Sequence, residues 1–136
     1  MIHHLSIGVA DLDRAMAFYD RVLAPLGFGR EVEFTEPTGT RSAGYGHPGQ
    51  WAREDNVPFW LEERRGAAIA CPPGFHLAFR APDADAVAAF HAAGLTAGGQ
   101  DNGPPGPRPA YGPSYYAAFL IDPDGWRIEA VTENIP

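Results

Sequence analysis

Several features are scarce or missing in this 136-residue chain, and each narrows what the protein can be. A single cysteine, Cys71, excludes an internal disulfide and suits a reducing cytoplasm. No apolar run approaches the roughly 20 residues that span a bilayer, and the opening residues lack the basic segment and cleavage site of a secretory signal. The formal net charge of −7 argues against nucleic-acid and acidic-membrane partners. We therefore expect a cytoplasmic protein that binds neither nucleic acid nor membranes.

A repeat relates the two halves of the chain. Residues 4–27 aligned with residues 76–99 give 8 identities in 24 positions, His4 with His76 among them. Unrelated segments of this composition would share about two, and an internal repeat of this kind fixes the architecture. Each copy opens with a histidine, so the repeat places two potential metal ligands in equivalent positions.

Side-chain periodicity predicts the elements of the first copy. Residues 4–9 alternate as a strand, with His4 on the face opposite the apolar Leu5. Asp11 is a natural N-cap for the amphipathic helix that follows, and Gly27 ends that helix.

The second copy repeats this plan. A strand is expected over residues 75–81, and Asp83 is the expected cap of a helix that runs to about Ala93 and ends at Gly94. The turn residues 122–125 predict a hairpin between the last two strands of the chain. Three more strands follow each helix, at residues 28–36, 40–46 and 57–63 and at residues 95–100, 115–121 and 126–132.

The expected fold class is α+β, with two tandem βαβββ modules in one domain. Module 1 covers about 1–63, a glycine- and proline-containing linker covers about 64–74, and module 2 covers about 75–136. Neither module alone can bury both faces of its sheet, so the modules are expected to pack together.

The order of these motifs resembles the vicinal oxygen chelate superfamily, which includes glyoxalase I, extradiol dioxygenases and bleomycin-binding proteins. Three stretches carry the resemblance: IHHLSIGVADLDRAMAFYDRVLAPLGF, GFHLAFRAPDADAVAAFHAAG and YYAAFLIDPDGWRIEAV. The resemblance implies a cup-shaped, mostly antiparallel β structure with helices outside. It also implies one divalent metal ion (Fe, Mn, Ni, Co or Zn) on the inner wall of the cup.

The resemblance maps the metal ligands onto His4, His76 and Glu129. Strand alternation independently places Glu129 opposite the apolar Ile128, just as each histidine lies opposite a leucine. Two imidazoles and a carboxylate leave open metal positions for substrate or water. A strand histidine can also be a structural polar group, and Arg127 could pair with Glu129 instead, which leaves a degenerate, metal-free site as the alternative.

Glyoxalase I enzymes typically add a fourth ligand from the last strand of the first module, and Glu62 is the candidate here. Its alignment with Glu129 requires a shift of 67 rather than 72 residues, and therefore a gap of five. A slip in that alignment would put Leu61 or Trp60 in its place. The alternative interpretation of Glu62 is a solvated strand end.

Further candidates line the expected substrate site. Residues 98–114 form a long segment rich in glycine and proline, which is interpreted as a lid or an irregular crossover. Arginine binds carboxylates and phosphates through two hydrogen bonds, which favours Arg108 as a substrate contact. Alternation allows only one of Tyr115 and Tyr116 to face the cup, and Tyr115 is preferred. The remaining candidates for substrate contact are Tyr111, His47 and Trp60.

Two functions remain open. The first is a metal-dependent enzyme, either a lyase or isomerase of the glyoxalase type or a ring-cleaving dioxygenase, acting on a small molecule with adjacent oxygen atoms. In this enzyme Tyr115 or Glu62 is expected to donate or accept protons. The second is a metal-free protein that sequesters a small molecule, as bleomycin-binding relatives do. Relatives often dimerise, which makes a homodimer one candidate state and leaves the oligomeric state open.

Overall fold

The polypeptide, described over residues 1–135 in a computed structural model, forms eight strands and three α-helices. Module 1 contains β1 (Leu5–Val9), α1 (Leu12–Leu23), β2 (Gly29–Thr35), β3 (Arg41–Gly46), α2 (Gln50–Glu54) and β4 (Phe59–Glu63). Module 2 contains β5 (Leu77–Arg80), α3 (Ala84–Thr96), β6 (Gln100–Pro107), β7 (Tyr116–Ile121) and β8 (Arg127–Thr132). None of the helices within residues 1–135 combines the length and the apolar character that crossing a membrane requires.

Each module forms its own four-stranded sheet, and the two sheets have the same topology. The strand orders are β1-β4-β3-β2 and β5-β8-β7-β6. In each sheet the first pair is parallel and the other two pairs are antiparallel. The predicted α+β class and the repeated βαβββ plan are therefore confirmed.

The two long helices begin where the sequence predicts. The carboxylate of Asp11 accepts a hydrogen bond from the backbone N–H of Arg14 at 3.0 Å, and that of Asp83 accepts one from Ala86 at 2.8 Å. Such bonds satisfy backbone donors that have no partner inside the helix. After α1 and one 3₁₀ turn, Gly27 ends the first helix with a φ of +84°.

The second long helix ends later than predicted. It runs through Gly94 to Thr96, so the strand expected over residues 95–100 is wrong, and β6 begins only at Gln100. Gly94 does not end the helix and instead lies where α3 packs on β7. A Cβ atom there would overlap the Cδ1 atom of Leu120. The glycine therefore serves close packing between helix and strand.

About half of the proline-rich segment at residues 98–114 is a strand rather than a loop. Residues 100–107 form β6, which pairs antiparallel with β7, and residues 108–114 form a connection. The pairing register shifts twice along β6, and the second shift spans Pro104 and Pro105, which cannot donate to a strand ladder. Helix α2, a single short helix near Trp51, was not expected either.

One hydrophobic core joins the modules. It collects apolar side chains from the helix-facing sides of both sheets and from α1 and α3. Buried polar contacts also cross between modules. The hydroxyl of Tyr19 donates to the carboxylate of Asp122 at 2.7 Å, and the indole N–H of Trp126 donates to the carbonyl of Gly8 at 2.7 Å. Each sheet thus has one face in the core and one face turned away from the helices.

Candidate functional site

The first sheet carries His4 on the side that points away from the core, which we call the module 1 face. Pairing of β1 with β4 places Ser6 beside Trp60 and Gly8 beside Glu62 on this face. A cavity of about 390 Å³ opens onto it. His4, Trp60 and Glu62 all line that cavity, together with Ser6, Phe34, Thr35, Glu36, Pro37 and Ser42.

The second sheet carries three polar side chains in contact on the corresponding side, which we call the module 2 face. The Nε2 atom of His76 lies 3.1 Å from the Oε2 atom of Glu129, and the hydroxyl of Tyr115 donates to Oε1 at 2.6 Å. The imidazole is half exposed, whereas the glutamate side chain is only 1% exposed. A buried carboxylate is therefore aimed at an accessible histidine.

Tyr115 remains protonated beside this carboxylate. Burial and the hydrogen bond to Glu129 raise the pKa of the phenol to about 12. At neutral pH the hydroxyl is therefore a hydrogen-bond donor that fixes one oxygen of Glu129. The neighbouring Tyr116 packs against the core on the opposite side of the strand.

The two pairing registers identify which residue of module 1 corresponds to Glu129. Leu5 pairs with Phe59, and its repeat mate Leu77 pairs with Ile128. The next residues along these two strands, Trp60 after Phe59 and Glu129 after Ile128, therefore occupy equivalent positions.

The expectation that Glu62 is the mate of Glu129 is wrong, because the shift between β4 and β8 is 69 residues rather than 67. Glu62 corresponds to Val131, lies on the same face two residues further along, and pairs with Arg64.

Trp60 is part of an aromatic surface on the module 1 face. Its ring is stacked with Phe34 at an interplanar angle of 15° and a centroid distance of 5.8 Å, and Trp51 meets both rings edge-on. The indole N–H donates to the carbonyl of Val57, which fixes the ring. Gly44 on the next strand lets the indole lie flat, because a Cβ atom there would come within 2.9 Å of it.

The other candidate substrate contacts fall into two groups. The guanidinium of Arg108 lies 5.5 Å from the ring centroid of Phe119, a neighbour of His76 on the module 2 face, and Tyr111 contacts Tyr115. His47 does not line the module 1 cavity, and its ring packs against Phe28.

The two faces are not joined within one chain. Every residue that lines the module 1 cavity belongs to module 1. Within residues 1–135 no group of three or more histidine, cysteine, aspartate or glutamate side chains is arranged to hold a metal ion. One chain therefore presents two partial donor sets, with His4 on one face and the His76–Glu129 pair on the other.

Two residues near these donors were missed from the sequence. Phe34 lies on the module 1 face and is 46% exposed, and Phe119 lies beside His76. Strand alternation could have found Phe119, which lies an even number of residues from the candidate Tyr115, whereas the strand of Phe34 carries no candidate residue.

The chain is similar to a described protein family and to several solved structures. A family model described as "Glyoxalase/Bleomycin resistance protein/Dioxygenase superfamily" matches residues 1–130. A glyoxalase/bleomycin resistance protein from Albidiferax ferrireducens T118 is 32% identical, with a TM-score of 0.74 over 94% of this chain and 95% of that one. A search of curated proteins finds no match.

Two glyoxalase I structures are similar as well. The V278E mutant of the Zea mays enzyme is 25% identical with a TM-score of 0.75, and the match covers 96% of this chain but 45% of that one. The trypanothione-dependent glyoxalase I of Leishmania major is 23% identical, with a TM-score of 0.65 over 98% of this chain and 86% of that one, and supports the fold alone. On the family match, which spans nearly the whole chain, the protein belongs to the Glyoxalase/Bleomycin resistance protein/Dioxygenase superfamily.

Proposed function

We propose that the protein is a metal-dependent enzyme that acts on a small molecule with two adjacent oxygen atoms. His4, His76 and Glu129 are the proposed ligands of one divalent metal ion. The observation that carries the proposal is the contact between His76 and Glu129. Burying an unpaired carboxylate is costly, yet Glu129 is 1% exposed and faces an imidazole that solvent can reach.

The donor set fits a divalent transition metal by its chemistry. Two imidazoles and one carboxylate suit Fe, Mn, Ni, Co or Zn, and they leave positions open for a substrate that supplies two oxygens. Trp60, at the position equivalent to Glu129, cannot add a fourth ligand. The proposed set therefore has three protein ligands, unlike the four-ligand sets of typical glyoxalase I enzymes.

A single chain supplies only part of this set on each face, so the proposal includes a second copy of the chain. A twofold axis that sets the module 1 face of one subunit against the module 2 face of the other adds His4 to the His76–Glu129 pair. The same axis repeats the arrangement, so a homodimer would hold two equivalent sites. Two donors alone would hold a metal weakly, which is why the dimer is part of the proposal.

The metal, when bound, would act as a Lewis acid that polarises a substrate oxygen. The protein residues have separate tasks. Tyr115 holds Glu129 in place through its hydrogen bond, and the high pKa of Tyr115 makes it a donor rather than a base at neutral pH. Glu62 is the proposed proton acceptor in the module 1 cavity. Arg108 and Tyr111 are proposed to bind the polar end of the substrate from the module 2 face.

A metal-free binding protein is the second candidate. It is supported by the lack of a three-donor group within residues 1–135 and by the aromatic surface around Trp60. A protein of this kind would use the cavity on the module 1 face to sequester a planar molecule. Sequestration of a small molecule does not require a buried glutamate in contact with a histidine, which is why the enzyme is preferred.

Metal content distinguishes the two candidates. We would purify the untagged protein, reload it with iron, manganese, nickel, cobalt or zinc, and measure bound metal and molar mass in solution. The expected result is a dimer with one metal per chain, and loss of that metal in His4→Ala and in His76→Ala. Glu62→Gln is the matched control and should retain the metal. A wild-type protein that binds none of the five metals would contradict the enzyme proposal.

A further inference from the structure

One wall of the module 1 cavity is flat and apolar, and its side chains do not belong to the hydrophobic core. Phe34 and Trp60 lie nearly parallel, and Phe34 is 46% exposed although it is a large apolar side chain. Exposed apolar surface of this kind commonly marks a binding site. The wall borders the same cavity as His4, so an occupant of the cavity would contact both.

The wall is held rigid, which favours binding of a flat ligand. The hydrogen bond from the Trp60 indole to the Val57 carbonyl fixes the ring, and the absence of a side chain at Gly44 lets it lie against the strand. Trp51 supports the pair from the edge at centroid distances of 5.4 and 6.0 Å. A prearranged aromatic surface loses little conformational entropy when a ring stacks on it.

The charges around the cavity indicate which ligand charge it disfavours. Its lining contains neither arginine nor lysine. Of its two carboxylates, Glu62 is paired with Arg64 from outside the lining, whereas no ion pair is found for Glu36 within residues 1–135. An anionic ring would therefore be repelled at this wall. The cavity volume of about 390 Å³ accommodates a compact ligand of one or two fused rings.

We infer that the Trp60–Phe34 wall is a stacking subsite for a planar aromatic ring without negative charge. The inference rests on the proposed function in that the ring would belong to the molecule whose adjacent oxygens reach the metal. It adds the class of the substrate: an aryl compound rather than an aliphatic one. Trp60 is thus assigned a binding role at the position where module 2 carries Glu129.

Three probe molecules test separately the contributions of the planar ring, of the ligand charge and of the adjacent oxygens to binding. Naphthalene-2,3-diol has a neutral planar ring with adjacent hydroxyls, 3-hydroxy-2-naphthoate carries a negative charge on the same ring system, and cyclohexane-1,2-diol has the hydroxyls without a planar ring. Each would be titrated into chelator-treated, metal-free protein while the indole N–H signals of Trp51, Trp60 and Trp126 are followed by NMR. Working without metal keeps this test independent of the metal measurement.

The naphthalenediol is expected to shift the Trp60 signal and leave that of Trp126 unchanged, since Trp126 lies at the junction between modules. The naphthoate and the cyclohexanediol should bind at least fivefold more weakly. Trp60→Leu and Phe34→Leu should each weaken binding of the naphthalenediol by about fivefold or more, and Trp60→Phe should restore most of it.

The inference would be overturned if the three probes bound equally, or if the diol left the Trp60 signal in place. Unchanged affinity in a folded Trp60→Leu protein would also overturn it. If the Trp60 signal moved with protein concentration and not with the probe, a second copy of the chain would be the occupant of the wall. Loss of metal binding with diol stacking intact would instead count against the proposed metal site alone.

Discussion

Trp60 occupies in the first sheet the position that Glu129 occupies in the second. The two residues are related by the pairing of β1 with β4 and of β5 with β8, which puts both at the same step of equivalent strands. The repeat is therefore symmetric in fold and in its two histidines, but not in its carboxylate. One side of the proposed site offers a second metal donor, and the other offers an aromatic ring.

Restoring the symmetry should strengthen metal binding. In Trp60→Glu a carboxylate replaces the indole, so the proposed site gains a fourth protein ligand. We expect the affinity for zinc or nickel to rise by about tenfold or more, measured by competition with a chelator of known affinity. Trp60→Leu is the control, because it removes the indole without adding a ligand. Equal affinities of the glutamate and leucine variants would show that position 60 does not border the metal.

Removing the Tyr115 hydroxyl should affect both stability and the metal. Tyr115→Phe leaves one oxygen of the buried Glu129 without its donor, which should lower the free energy of unfolding by about 1–3 kcal/mol. Loss of a residue that orients a metal ligand typically weakens metal binding by about 10- to 100-fold. Urea denaturation and metal titration measure the two effects. Tyr116→Phe, altered on the core side of the same strand, should leave metal affinity unchanged.

The close contact between α3 and β7 at Gly94 predicts that even a methyl side chain at this position lowers the stability of the protein. Gly94→Ala would bring a methyl group against Leu120 in a packed core, and we expect the free energy of unfolding to fall by about 1–3 kcal/mol. Gly29→Ala is the control, since nothing lies within 4 Å of a Cβ atom there. A Gly94 variant as stable as wild type would contradict close packing between α3 and β7 at this position.

The buried carboxylate of Asp122 predicts a pH dependence. Burial raises the pKa of Asp122 above its usual value of 3.8, although hydrogen bonds from Tyr19 and two backbone N–H groups oppose the change. A raised pKa in the folded protein means that the contribution of Asp122 to stability is greatest below pH 3.8 and falls as the pH rises through the folded pKa. Each pH unit by which the folded pKa exceeds the unfolded one corresponds to a loss of about 1.4 kcal/mol.

Asp122→Asn isolates this contribution, because the amide keeps an oxygen for the two N–H donors but does not titrate. Wild type should lose stability relative to the variant as the pH rises from about 4 to 7. The measurement is the free energy of unfolding in urea at several pH values. A difference between the two proteins that stays constant with pH, or grows in favour of wild type, would contradict a raised pKa.

Much of the fold could be predicted, because local signals and periodicity agreed. Asp11 and Asp83 cap helices as expected, and the 72-residue repeat predicted the shared topology of the sheets. The errors came from tertiary packing. Gly94 resembles a helix stop in sequence, but its role is contact with Leu120. The proline-rich segment resembles a loop, but β7 supplies enough pairing to order part of it as a strand.

The candidate site shows where sequence reasoning ended. Alternation assigned His4, His76 and Glu129 to the sides of their strands that face away from the core, because period-2 patterns report faces directly. Alternation cannot report register between distant strands. Trp60 and Glu62 share a face, and only the hydrogen-bond ladders of the two sheets identify Trp60 as the residue equivalent to Glu129.

Complementation between inactive subunits tests the central claim most directly, namely that each metal site takes His4 from one chain and His76 with Glu129 from another. His4→Ala and His76→Ala proteins would be mixed, unfolded and refolded together, and the mixed dimers isolated by two different tags. Each mixed dimer should bind one metal ion, because one of its two sites is built only from unchanged residues, while each parent dimer binds none. Mixed dimers without metal, formed from parents whose wild-type counterpart binds one metal per chain, would contradict the account.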